Sequence, residues 1–298
     1  MTQQTRDDLH FPARQAGTLH SEAKIAPLSP AIGADIRGVD LTRELDETTF
    51  LRVREAWYAH NILLFTGQRL SLANQVRFAA RFGELATIHN KRGNPGVTEH
   101  PSVMYISNVR QDGRLIGALP DGEMFFHSDQ CYLERPCMAT MLYAMDIPSR
   151  GGDTLFANMY AAYDTLPDDL KRRIQDRMAM NVYDYGNNPT QRPTADLDNV
   201  PAYPHPMVNM HPVTGRPALF VNRLMTTHIV DMPRKESDKI LAFLFDHQEQ
   251  SRFVYTHVWT PGDLILWDNR CTLHARTDFD ASERRRLRRV IIQHERTE

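Results

Sequence analysis

Residues 253–274 read FVYTHVWTPGDLILWDNRCTLH. The first eight are an aromatic and β-branched run, Pro261-Gly262-Asp263 is turn chemistry, and residues 264–267 are a second apolar run. Such residues fit a pleated, half-buried surface, and a Pro-Gly pair punctuates strands. The pattern predicts a β-hairpin with His274 just past its second strand, at the mouth of a barrel or sandwich. Arg285 lies eleven residues beyond His274, and Arg289 four beyond that, around the start of a last strand predicted over 287–293. On a strand, positions i and i+4 share a face, so both guanidiniums can enter one cavity. A dicarboxylate needs a cation at its far end, and arginine grips a carboxylate with a bidentate fork.

Upstream, Phe125-Phe126-His127-Ser128-Asp129 falls in a strand predicted over 124–131, where alternation puts His127 and Asp129 on the same face. An imidazole and a carboxylate side by side are two legs of a facial iron triad, and His274 offers the third. Two other stretches match the looser His-x-acid pattern. His20-Ser-Glu22 lies in a polar tail, and His247-Gln-Glu249 in a predicted helix, where i and i+2 diverge. Cys131, two residues past Asp129, is read as a spectator thiol rather than a ligand, because a hard ferrous ion prefers nitrogen and oxygen. Trp267 and Asn269 are read as packing and turn residues. Five of the six residues 284–289 are arginine. Alternation sends Arg284, Arg286 and Arg288 outward or to a rim, which makes a nucleic-acid surface the weaker explanation of the run.

Around these segments, residues 1–22 form a polar, aperiodic tail, and residues 23–298 are expected to be one domain. Helices are predicted over 46–59 (capped by Asp46, with Phe50, Leu51, Val53 and Trp57 apolar), 71–82 (capped by Ser71), 158–175 (interrupted by Pro167) and 237–250 (Ile240, Leu241, Phe243 and Leu244 apolar). Strands are predicted over 61–67, 103–107, 138–145 and 154–157. Residues 186–206 form a long Pro/Asn-rich stretch that reads as a lid-like loop. The order implies a mainly β, α+β domain built on an antiparallel sandwich or barrel.

Composition excludes several classes. A formal net charge of −2 gives no steering toward nucleic acid. The N-terminus MTQQTRDDLHFPARQAG lacks the apolar core of a secretory signal, and no apolar run is long enough to span a membrane. Three scattered cysteines, without a C-x-x-C pair, fit neither a disulfide framework nor a zinc ribbon. A reducing, cytoplasmic setting is expected.

Six segments together carry a family resemblance: RFGEL (81–85), ISNVRQDG (106–113), FFHSDQCY, SRGGDTLFANMYAAYDTLP, FVYTHVWTPGDLILWDNRCTLHARTDFD and ERRRLRR. In order and spacing they resemble the TauD/TfdA family of Fe(II)- and 2-oxoglutarate-dependent dioxygenases, and more the phenoxyacetate-herbicide branch than the taurine branch. The resemblance implies a double-stranded β-helix, or jelly roll, with flanking helices. It implies Fe(II) on His127, Asp129 and His274. It implies Thr154, in GGDT, and Arg285 on the distal carboxylate of 2-oxoglutarate, Arg289 on the anionic group of a small-molecule substrate, and His89 as a further substrate contact. O2 is the remaining co-substrate, succinate and CO2 the expected products, and a homodimer or homotetramer the expected assembly. Asp129 separates the chain from related halogenases, which lack that carboxylate. Alternatives at this level are a sulfonate-type substrate, a non-catalytic scaffold barrel and a metal hydrolase on the same triad.

Overall fold

The computed structural model describes residues 23–87, 100–118, 122–183 and 200–295. Lys24–Pro27 (β1) and Ala34–Arg37 (β2) pair antiparallel. Helix Glu47–His60 (α1) begins at Asp46, whose carboxylate accepts from Thr49 N at 2.8 Å, and it buries Phe50, Val53, Ala56 and Trp57. Ile62–Phe65 (β3) precedes helix Leu72–Ala79 (α2), which opens with a Ser71/Asn74 capping box. Glu84–Leu85 (β4), Val103–Ser107 (β5), Arg110–Gln111 (β6) and Arg114–Leu115 (β7) lead to Met124–His127 (β8), Ala139–Asp146 (β9) and Thr154–Asn158 (β10). Pro167 separates helices Met159–Asp164 (α3) and Asp168–Ile174 (α4). Met178–Val182 (β11), Ala202–Pro206 (β12), Val208–Met210 (β13), Pro217–Leu219 (β14) and Thr226–Ile229 (β15) precede helix Arg234–Gln248 (α5). The chain closes with Val254–His257 (β16), Leu264–Asp268 (β17), Thr272–Arg276 (β18) and Arg286–His294 (β19).

Two sheets form a jelly roll. The larger runs β1-β2-β3-β17-β9-β19-β4, with β5 also on β19, and the smaller runs β16-β10-β18-β8. The central strands of the large sheet are apolar on both faces, and alternation sorts them. Leu264 and Leu266 of β17, with Met141 and Tyr143 of β9, join α1 and α2 in one core. Ile265 and Trp267, with Leu142 and Ala144, join Phe156 of the smaller sheet and Trp259, just past the end of β16, in another. A continuous apolar run is what a strand covered on both faces requires, and each large buried side chain contributes about 1.5–3 kcal/mol.

Several sequence expectations are corrected. Residues 253–267 do not form a hairpin: β16 pairs with β10 in the small sheet, and β17 with β3 and β9 in the large one. The Pro261-Gly262 segment therefore carries the chain between sheets, with Asp263 Oδ2 accepting from Thr260 N at 2.9 Å and Gly262 at φ +95°. Leu51 and Phe243, assigned to apolar stripes, are exposed. Of the lid-like stretch 186–206, residues up to 199 lie outside the described ones, and Ala202–Pro206 is strand β12 on β11. The tail 1–22 also lies outside the described residues. No helix among the described residues is long and apolar enough to cross a membrane.

The Gly151-Gly152 turn before β10 docks against the segment leading to β19. Gly151 sits at φ +71°, and a Cβ there would lie 2.2 Å from Asp278 O, a backbone atom that cannot swing aside. Gly151→Ala should lower stability by about 2–4 kcal/mol in urea denaturation, whereas Gly113→Ala, also at positive φ but facing open space, should cost only about 1 kcal/mol.

Candidate metal and anion site

Strand register builds the site. β18 lies between β10 and β8, and His274 is the direct cross-strand partner of His127. The two imidazoles lie tilted at 46° to each other, with ring centroids 4.1 Å apart. His274 is thus in the middle of β18 rather than past a strand end. Asp129 departs from expectation too: β8 ends at His127, and Asp129 lies in the turn that follows, where Gln130 takes φ +59°. Turn geometry, not strand alternation, brings the carboxylate back beside the imidazole. His127 Nε2 and His274 Nε2 each stand 3.9 Å from Asp129 Oδ1, and all three ligand atoms lie within 4.8 Å of one another.

The protonation states suit a cation. Burial lowers the His127 pKa despite the Asp129 charge, and burial together with His127 pushes His274 down to about 3, so both rings are neutral. Burial alone would raise Asp129, but Arg289, the two histidines and Thr140 outweigh it and hold the carboxyl at about 2. His127 Nδ1 bonds Phe125 O at 2.9 Å, which fixes the tautomer that leaves Nε2 as a lone-pair donor facing Asp129. Two neutral imidazoles and one ionised carboxylate, converging while buried, are a donor set for a divalent first-row metal.

Asp129 is itself braced. Thr140 Oγ1 donates to Asp129 Oδ2 at 2.7 Å, Asn269 Nδ2 donates to Thr140 Oγ1 at 3.0 Å, and Trp267 Nε1 donates to Asn269 Oδ1 at 2.8 Å. Trp267 also packs on His274, with centroids 4.7 Å apart. Trp267 and Asn269 therefore do more than pack and turn. Cys131 is buried, its thiol pushed up to about 12 by burial, and it does not line the chamber.

The same chamber holds Thr154, Arg276, Arg285 and Arg289. Arg285 is buried and donates Nε and Nη2 to Gly152 O at 3.1 and 2.9 Å. Among the described residues no carboxylate lies within ion-pair distance of it. Burial and the neighbouring Arg276 lower its pKa to about 9. A guanidinium does not deprotonate in a folded protein, so the lowering marks a buried cation that lacks an anion. Gly152 makes this possible, because a Cβ there would lie 2.9 Å from Arg285 Nε. Arg289 Nη1 stands 3.6 Å from Asp129 Oδ1, on the metal side. Arg285 precedes β19 and Arg289 lies on it, yet both reach the chamber. Arg284 is exposed and Arg286 is partly covered, each pairing with Asp146, but Arg288 is buried and donates to Leu70 O at 2.6 Å. The expectation that Arg288 faces outward is wrong because the opposite face of β19 is covered by α2.

Arg276 escaped the sequence reading although its signal was present: two residues after His274 on a strand, it shares that histidine's face, and it lies across from Thr154. His89 lies outside the described residues. A larger cavity of about 510 Å³ opens behind Asn269 and Cys137, but it collects neither the histidine pair nor the arginines.

The comparisons agree with this architecture. The family described as "Taurine catabolism dioxygenase TauD, TfdA family" matches residues 24–291. An (S)-phenoxypropionate/alpha-ketoglutarate-dioxygenase of Sphingobium herbicidovorans is 34% identical, over 88% of this chain and 91% of that protein. An alpha-ketoglutarate-dependent 2,4-dichlorophenoxyacetate dioxygenase of Cupriavidus pinatubonensis is also 34% identical, over 89% and 95%. The crystal structure of a taurine dioxygenase from Burkholderia xenovorans superposes with a TM-score of 0.76 at 31% identity, covering 91% of this chain and 89% of that one. The structure of AAD-2 with Mn(II) and N-oxalylglycine gives 0.75 at 27% identity, over 92% and 98%. With its jelly roll and its chamber of histidines, carboxylate and arginines, the chain belongs to the TauD/TfdA family of Fe(II)- and 2-oxoglutarate-dependent dioxygenases.

Proposed function

We propose that this dioxygenase hydroxylates a small aryloxyacetate-like carboxylate, with His127, Asp129 and His274 holding Fe(II), Thr154 and Arg285 holding the distal carboxylate of 2-oxoglutarate, and Arg289 receiving the anionic group of the substrate. The observation that carries the reading is the buried Arg285, without a carboxylate partner among the described residues, in the same chamber as a metal-ready His/Asp/His set. A barrel that served only as a scaffold has no chemical need for that uncompensated charge.

When bound, Fe(II), 2-oxoglutarate and O2 supply the oxidising power, and the co-substrate leaves as succinate and CO2. The chain supplies position and dryness. Asp129 keeps one orientation through Thr140. Arg276 adds positive charge beside Arg285. Ile106, Met124 and Leu142 give the chamber apolar walls that suit an aromatic or alkyl body. Hydroxylation of the carbon next to an ether oxygen in ArO–CH2–COO⁻ yields a hemiacetal, which breaks into a phenol and glyoxylate. Relatives named for phenoxypropionate and dichlorophenoxyacetate favour this class, while one named for sulfate esters, at 30% identity, keeps a sulfur-oxyanion substrate as the second reading. The three free, buried thiols fit a reducing, cytoplasmic setting. A dimer or tetramer is inferred from the family likeness, and native mass would decide it.

A screen of succinate release over aryloxyacetates, alkyl sulfonates and alkyl sulfates tests the substrate class. Uncoupled release unaffected by any aryloxy acid, with strong stimulation by a sulfate ester or sulfonate, would sink the carboxylate reading. Arg285→Ala should raise the KM for 2-oxoglutarate about a hundredfold, the loss of a charge-assisted pair of about 3 kcal/mol, while Arg289→Ala should raise the KM of the organic substrate instead. Steady-state kinetics on both substrates checks the split, and an unchanged co-substrate KM in Arg285→Ala would assign the two arginines wrongly. Thr140→Val, nearly isosteric, should weaken metal binding about ten- to a hundredfold in equilibrium dialysis while the protein stays folded.

A further inference from the structure

Trp259 lies beyond the end of β16, outside the set of metal and anion groups, yet its indole reaches back to the chamber wall. Trp259 Nε1 donates to Thr154 Oγ1 at 2.9 Å, and both side chains are buried. An indole N–H is a donor with no acceptor capacity, so Thr154 must be the acceptor in this bond. The Thr154 hydroxyl keeps one proton to give away, and among the described residues it donates no hydrogen bond. Thr154 lines the chamber with Arg285, and its cross-strand neighbour is Arg276.

The indole is held firmly. His257 meets Trp259 edge to face, with centroids 4.6 Å apart at 90°. His257 is anchored in turn by the Tyr255 hydroxyl at Nδ1, 3.0 Å away, and by Asp263 Oδ2 at Nε2, 3.2 Å away. The Thr260–Asp263 turn that carries the chain between the sheets supplies that aspartate.

We propose that Trp259 is a positioning residue for Thr154: its indole N–H occupies the lone-pair side of the hydroxyl and commits the hydroxyl proton to donation into the chamber, toward the distal carboxylate of 2-oxoglutarate. The inference rests on the role given to Thr154 above. A phenol or imidazole at this place could donate or accept, leaving the direction of the threonine proton unset. The indole removes that freedom before the anion arrives, so the hydroxyl does not reorganise on binding.

Calorimetric titration of 2-oxoglutarate into the Zn(II)-loaded protein, which does not turn over, tests this without activity. Thr154→Val should weaken binding about ten- to a hundredfold and Trp259→Phe about three- to tenfold, with Zn(II) affinity unchanged in both. The double variant should bind no more weakly than Thr154→Val alone, since Trp259 acts through the hydroxyl. Wild-type affinity in Trp259→Phe, or additive losses in the double variant, overturns the proposal and leaves the role of Thr154 standing. Wild-type affinity in Thr154→Val overturns that role and the proposal with it. If Trp259→Phe fails to fold, the indole ¹⁵N–H resonances of the three tryptophans give the same answer. The Trp259 signal should shift on adding 2-oxoglutarate to wild type and not to Thr154→Val, and a signal that stays still in wild type overturns the proposal.

Discussion

The cross-strand pairing of His274 with His127 is the contact on which the rest of the site depends. Side chains alternate along a strand, so a slip of one residue between β18 and β8 would turn one imidazole away from the chamber. On its other edge, the pairing of β18 with β10 sets Phe156 beside His274 and Thr154 beside Arg276. One strand therefore aligns the histidine edge and the arginine edge of the chamber, and rigid sheet geometry carries most of the candidate site. Of the His/Asp/His set, Asp129 alone comes from a turn, and it is the group with the bracing chain Thr140–Asn269–Trp267. A carboxylate without strand alternation to orient it needs hydrogen bonds to do so.

The chamber is electrostatically out of balance. Arg276, Arg285 and Arg289 face it with Asp129 as the carboxylate among its lining residues. Burying charge without its counter-charge is costly, and the lowered Arg285 pKa is the signature of that cost. Such a cost is relieved when an anion enters, so the chamber as built is matched to an anionic ligand rather than a neutral one. Arg288 shows the contrast: on the opposite face of β19, it gives Leu70 O a hydrogen bond and lies over the Tyr143 ring at 4.7 Å, a structural use of the same residue type.

Much of the site was legible because its chemistry is local in sequence. His127 and Asp129 are two residues apart, Gly151 to Thr154 form one turn, and Arg285 and Arg289 flank the start of one strand. The errors share a cause. Residues 124–131 look like one strand and 253–267 like a hairpin, because apolar and aromatic runs announce strands but not where a strand stops or which sheet it joins. Arg276 was overlooked although alternation from His274 points to it, and Trp259 was overlooked because a buried aromatic reads as core until its N–H is traced.

The sequence by itself determined the family, the mainly β class and most of the histidine, aspartate and arginine side chains that the chamber collects, because these depend on residue type and spacing within short segments. Only the tertiary structure decided that β16 and β17 belong to opposite sheets, that Arg288 is buried while Arg285 lies in the chamber, and that Trp259 reaches Thr154 across 105 positions. Those facts follow from strand pairing and sheet packing between segments far apart in the chain, and hydrogen-bond partners at that distance leave no periodic trace in the residues that make them.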